Sequence, residues 1–240
     1  DDTVDYDAVN DQLQALASVG PDTDVTLSDQ REAAATRGAR AGATIAQQQG
    51  INVTQAQRQA AVDGAVRAAA QVQNASIEQV QAAARGAAHG ALLQSQRANV
   101  TQLQAGIYGA SAGALSQFQQ ANVTQLQSAA YGAAHGVVAQ HQRANVSQLQ
   151  FVAVGSAAGA ARSAAQTQRA IVSQIQEAAQ GSAYGSLVQR QNVTLRQRQA
   201  AAFGAAGGGA GSEADTDPKK IQEAAMGAAR GTLFQGQQVS

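Results

Sequence analysis

The sequence predicts an α/β repeat solenoid of about nine coils, each 22–26 residues long and made of a bent Gln-rich β arm and a short Ala/Gly helix. Three observations predict it. Glycines recur in one context at Gly38, Gly64, Gly86, Gly109, Gly132, Gly155, Gly181, Gly204 and Gly227, with a second small residue four positions after each. A glutamine frame of period two lies between them, and the residues around each glycine follow a helical period instead. The organisation that results is an acidic N-terminal segment with a degenerate coil over 1–27 and a repeat array over 28–240, with a Gly-rich and acidic insertion at 207–218.

The glutamine frame fixes alternate positions. One copy reads Gln94, Gln96, Ala98, Val100, Gln102, Gln104, and the next Gln117, Gln119, Ala121, Val123, Gln125, Gln127; Gln140, Gln142, Gln148 and Gln150 repeat it. A strand places all such positions on one face, so this half is read as extended. Stacked coils then set each Gln above the Gln of the next, forming amide ladders along the axis. The other half keeps small residues at i, i+3, i+4 and i+7. Pairs such as Arg85 and His89, or Tyr131 and His135, vary freely four residues apart. That half is read as a helix of about three turns.

Eleven extended residues span roughly 35 Å, whereas twelve helical ones return only about 18 Å. The β arm must therefore bend, near the step from Arg97 to Asn99 in its copy. Two alternatives remain open. Capping boxes from Thr101 to Gln104 and from Thr124 to Gln127, with Leu103, Ile107, Ser111 and Leu115 four apart, permit an all-helical array of hairpins. An all-β solenoid uses the Ala/Gly segment as an arch.

Composition removes several classes of function. The 16 basic and 16 acidic residues cancel, the basic ones are spread along the array, and no nucleic-acid stripe emerges. There is no Cys, hence no disulfide, thiolate nucleophile or Cys-type zinc site. No run approaches a membrane span. With no Trp, four Tyr and four Phe, the apolar content is mostly Ala and builds no bulky core. The acids Asp63, Glu78, Glu177 and Glu223 fall in different coils, so no paired-carboxylate or Ser-His-Asp arrangement forms and no enzyme is expected. His89, His135 and His141 lack a ligand partner in their coils and are read as exposed positions, with no metal. The acidic stretches Asp22 to Asp24 and Glu213 to Asp217 are read as solvated loops, calcium binding being left open.

Six of the seven asparagines, Asn52, Asn74, Asn99, Asn122, Asn145 and Asn192, stand in Asn-X-Ser/Thr acceptors, all on the variable face of the Gln half. N-glycosylation is expected, with covalent glycans and no cofactor, and places the chain outside the cell or on its surface. The first residues, Asp1 and Asp2, suggest a processed N-terminus. At the ends, Gln235, Gln237 and Val239 open another Gln frame, while Asn10, Gln12 and Gln14 read as its closing half. A tail completed by the head of another copy makes a non-closing contact, so the expected partner is the chain itself.

The regularly placed glutamines of the 22–23-residue repeats, such as Gln125 and Gln140, resemble the curlin repeats of bacterial fibres, without their Gly-X-Gly-Asn turn. The Arg-over-Lys bias and serial Asn-Val-Thr-Gln steps are similar to secreted glycoproteins of halophilic archaea. Both resemblances cover the array from about residue 44 and imply an extracellular structural role. The expected function is therefore a secreted, N-glycosylated repeat protein that assembles head to tail into a filament or surface layer. A binding solenoid for cells, carbohydrate or ice, and an intracellular helical scaffold, are the alternatives.

Overall fold

Most repeats begin with a residue suited to start a helix. Thr54, Ser76, Asn99 and Asn122 are N-caps whose side chains accept from the backbone N–H three residues on, while Gln57, Gln79, Gln102 and Gln125 reach back to the N-cap N–H. These are complete capping boxes, and Thr26 with Asp29 forms another. Asn145 with Gln148 and Thr194 with Gln197 make the same paired bonds. Asp217 accepts from Lys219 N–H just ahead of a first-turn proline, Pro218.

The structure, a computed structural model, describes residues 26–167, 171–188, 193–210 and 217–236. Among these there are nine helices: α1 Leu27–Gln48, α2 Gln55–Gln71, α3 Ile77–Leu92, α4 Val100–Leu115, α5 Val123–Ala139, α6 Val146–Thr167, α7 Val172–Val188, α8 Leu195–Ala210 and α9 Pro218–Gly236. The described residues are 82% helical and contain no strand.

The chain zigzags between two layers. Each helix packs most extensively on a helix two away along the chain, and less on its immediate neighbours. Gly38 and Gly42 of α1 meet Gln81 and Arg85 of α3 in ascending order, so helices within a layer run parallel. Helices α1, α3, α5, α7 and α9 form one layer, and α2, α4, α6 and α8 the other. Larger apolar side chains, including Ile45, Val80, Leu103, Leu126, Leu149, Ile175 and Ile221, are buried in the core. Alanine supplies nearly all the rest of the core.

Glycine sets the spacing within each layer. A Cβ added to any of thirteen glycines from Gly38 to Gly185 would lie within 2.8 Å of a backbone carbonyl oxygen in the helix two ahead. The oxygens follow one rule. The first glycine of a helix faces the carbonyl of the residue five before the partner's first glycine: Gln81, Gln104, Gln127, Gln150, Gln176, Gln199 and Gln222. The second faces the residue one before it, such as Arg85, Tyr131, Phe203 or Met226. Such contact brings Cα–H groups onto carbonyls and maximises dispersion between backbones. Helix α2 has Ala68 in place of a second glycine and α4 presents Ile107 to Gly64, where the approach relaxes to 2.8 Å.

The β arms are thus corrected. What reads as a strand is the end of one helix, a loop and the first turn of the next, so neither the α/β solenoid nor the all-β alternative holds, and the all-helical array does. The period of two arises because four alternate positions perform four different tasks. Ala98 is buried just before the cap, Val100 opens the helix, Gln102 closes the capping box, and Gln104 carries the carbonyl that receives Gly64. The capping boxes also sit two residues earlier than expected, at Asn99 and Asn122 rather than Thr101 and Thr124.

The glutamine ladder is corrected with the strands. Gln94 meets His135, Gln117 donates to Ser116, and Gln127 accepts from Arg85. Gln96, Gln119 and Gln142 are exposed, Gln140 is a C-cap, and Gln104 and Gln150 contribute backbone carbonyls to glycine contacts. Only the capping glutamines have a repeating side-chain role: Gln102 and Gln125 donate to the carbonyls of His141 and Ala164, and Gln148 closes the box at Asn145. Residues 1–25 and 211–216 lie outside the described residues, and Gly207 to Gly209 of the expected insertion form the last turn of α8.

The glycine contacts give a paired prediction. Gly132→Ala drives a methyl into the Gln176 carbonyl and lowers stability by about 1–3 kcal/mol in urea unfolding. Gly227→Ala meets nothing within 4 Å and leaves the midpoint unchanged or higher.

Candidate functional site

The cap loops gather the residues singled out for modification. Asn52, Asn74, Asn99, Asn122 and Asn145 are all exposed. Asn192 lies outside the described residues. The five divide by role. Asn99, Asn122 and Asn145 are themselves N-caps, their Oδ1 atoms accepting from Gln102, Gln125 and Gln148 N–H at 2.9 Å. In the other two, Thr54 and Ser76 are the caps, accepting from Gln57 and Gln79 N–H at 3.2 Å, and the asparagine stands two residues earlier. Alignment on the caps therefore shifts the acceptor by two residues at Asn52 as well as at Asn74.

Each of the five described sequons contains one residue that capping uses and one that it does not. Thr101, Thr124 and Ser147 in the first group, and Asn52 and Asn74 in the second, are exposed and contribute nothing to the cap. Because neighbouring helices alternate in direction, Asn52, Asn99 and Asn145 lie along one edge of the solenoid and Asn74 and Asn122 along the other. Next to the cap asparagines stand exposed apolar side chains: Val100 (42%), Val123 (39%) and Val146 (37%).

The starts of α2, α3, α4 and α5 are each tied to the chain at, or just before, the connection two further on. Gln57, Gln79, Gln102 and Gln125 each accept from their own cap through Oε1 and donate through Nε2 to Ser95, Phe118, His141 and Ala164 carbonyls, at 2.7–2.9 Å. One amide thus ends a helix and joins two coils.

A seam of larger side chains follows the α1-side layer. The residue three after the first glycine of one helix meets the residue one before that of the helix two ahead. His89 and Tyr131 have ring centroids 4.9 Å apart, and in the other layer the Arg67 guanidinium lies 4.7 Å over the Tyr108 ring by the same offset. His89, His135 and His141 are half-buried, which corrects their reading as exposed. His89 hydrogen-bonds Gln49 at 3.0 Å. Burial, then the neighbouring His135 and Arg85, lower its pKa from 6.5 to about 4. Burial also lowers that of His135, with Gln180 acting in the opposite sense.

Arg198 was not singled out from sequence. It occupies the inter-layer position held elsewhere by Leu103, Leu126 or Leu149, and its Nη1 donates to the Ser186 carbonyl at 2.6 Å in the last turn of α7. A cation there suits the helix dipole, although burial lowers its pKa.

Among the described residues no group of three or more His, Asp or Glu side chains is placed to hold a metal ion, and no helix is long and apolar enough to cross a membrane. Asn10, Gln12, Gln14, Gln237 and Val239, expected to join copies, lie outside the described residues, and Gln235 falls at the end of α9. Comparison with protein-family models, curated proteins and solved structures finds no match to this chain.

Two predictions follow from the loops and the seam. Gln125→Glu keeps the cap acceptor but removes the donor to the Ala164 carbonyl, and lowers unfolding stability by about 1–2 kcal/mol at neutral pH. A histidine whose folded pKa is depressed stabilises fully above its unfolded value and loses that contribution as pH falls. Stability therefore declines between about pH 6.5 and 4, by on the order of 2–3 kcal/mol for His89, and His89→Gln flattens that slope in urea titrations across pH.

Proposed function

We propose that this chain is a structural repeat protein of the cell exterior, a rod that carries N-linked glycans on its cap loops and adds copies head to tail into a filament or surface layer. The observation that carries this reading is the exchange of cap. When asparagine caps the helix, a Ser or Thr stands two residues later without a capping task; when Ser or Thr caps it, an asparagine stands two residues earlier without one. Helix capping accounts for one residue of each sequon. An acceptor for N-glycosylation accounts for both.

Geometry supports the reading in two further ways. The described acceptors are exposed and lie along both edges, so sugars there leave the layer contacts undisturbed. Glycans beside Val100, Val123 and Val146 also shield apolar surface left open at the helix starts. The repeat architecture suits a structural role, because stability accumulates from nearest-neighbour contacts and length carries no topological penalty.

An unmodified helical scaffold is the second reading, favoured by the use of Asn99, Asn122 and Asn145 as caps. Intact-mass and peptide analysis of protein from its native source separates the two. The proposal expects hexose-containing masses on peptides bearing Asn52, Asn74, Asn99, Asn122 and Asn145. Unmodified asparagines throughout refute it. Asn52→Gln and Asn99→Gln each remove one glycan, and only Asn99→Gln also lowers stability, by about 1 kcal/mol, because it alone loses a cap.

A further inference from the structure

The glycine stripes of α1 to α7 are all covered, but those of α8 and α9 are not. Gly204, Gly208, Gly227 and Gly231 are exposed, and a Cβ at any of them would meet nothing within 4 Å. The same positions hold a parallel helix seven times within this chain, so what fits them is defined: a ridge offering carbonyls five and one residues before its own first glycine.

That ridge is present at the opposite end of the molecule. On α1 it comprises Ala33 and Arg37, and on α2 it comprises Gln59 and Asp63; Ala33, Gln59 and Asp63 are exposed. Between these carbonyls stand Thr36 and Val62. Ile107 occupies the corresponding place on α4 against Gly64, so a β-branched side chain is tolerated there.

Charge points to the same pairing. The position three after the first glycine of α9 is Arg230, whose Nε is buried without a hydrogen-bond partner. Its counterparts Arg67 and His89 each meet the residue one before the first glycine of the next helix in the layer, Tyr108 and Tyr131. On α2 that residue is Asp63. In α8 the position is Gly207, which leaves room for Arg37 of a second copy.

We infer that the α8 and α9 face seats the α1 and α2 end of a second copy of this chain, Arg230 pairing with Asp63 of the second copy. The inference rests on the structural reading above and names its interface. Helix α1 of the second copy enters the layer of α8, and its α2 enters the layer of α9. With nine helices among the described residues, each added copy exchanges the two layers, so the edge carrying Asn52, Asn99 and Asn145 alternates from copy to copy along the filament.

Charge exchange tests this in the full chain. Sedimentation velocity and electron microscopy are run on the native protein, on Asp63→Lys, on Arg230→Glu and on the chain carrying both, with circular dichroism confirming the fold of each. The expected result is concentration-dependent filaments for the native chain, at least tenfold weaker association for each single variant, and recovery in the double variant. Gly227→Leu, which has no internal clash, blocks association in the same way. Filaments equally strong in all variants overturn this interface while leaving the structural reading standing. Native protein that stays monomeric at millimolar concentration overturns both.

Discussion

A glycine Cα lying against the backbone carbonyl of the next helix in its layer is the contact on which the rest of the molecule depends. A methyl group cannot fit there, as the approach of an added Cβ to Gln81, Gln127 or Gln176 shows. Helices so close gain dispersion and Cα–H···O contacts along their backbones, which compensates for the scarcity of bulky side chains. It also offsets the helix-propensity cost of two glycines per helix. The approach is looser at Gly64 and Gly136, where an added Cβ stands 2.8 Å from the carbonyl oxygen; at the α2 to α4 contact Ala68 replaces the second glycine and Ile107 faces Gly64.

The same contact separates structural from surface duties. Most of what faces a layer neighbour is small, Ile107 and the side chains of the seam excepted, and most of what faces the other layer is Leu, Ile, Val or Ala, Arg198 excepted. Chemical variety is confined to the seam around Tyr131 and to the loops at the edges. The loops combine two tasks in one residue set. At Asn99 and Asn122 a capping box starts the helix, and the free half of its glutamine amide bonds a backbone carbonyl near the connection two further on. What capping leaves over in each sequon is what the proposed glycosylation uses.

Much of this was legible in the sequence. The nine-fold recurrence, the helical period around each glycine and the role of those glycines in close packing follow directly from spacing. The strand reading failed because it assigned one cause to alternate positions that have four. Ala98, Val100, Gln102 and Gln104 recur together since a loop, a helix start, a capping box and a backbone contact happen to fall two residues apart. A helix turns about 200° over two residues, so those side chains never share a face. The capping motif was visible, but Thr101 and Gln104 mimic it two residues away from the functioning pair Asn99 and Gln102. The partner of each amide was not legible, because it lies 38 or 39 residues away in another coil. The sequons were legible as motifs, but the division between capping and non-capping asparagines needed the backbone.

An experimental structure at high resolution measures the central contact directly. The expected result is a Gly86 Cα about 3.3–3.6 Å from the carbonyl oxygen of Gln127, with the same spacing at Gly132 and Gln176. A separation beyond about 4.5 Å, with side chains interposed between the two backbones, would contradict it.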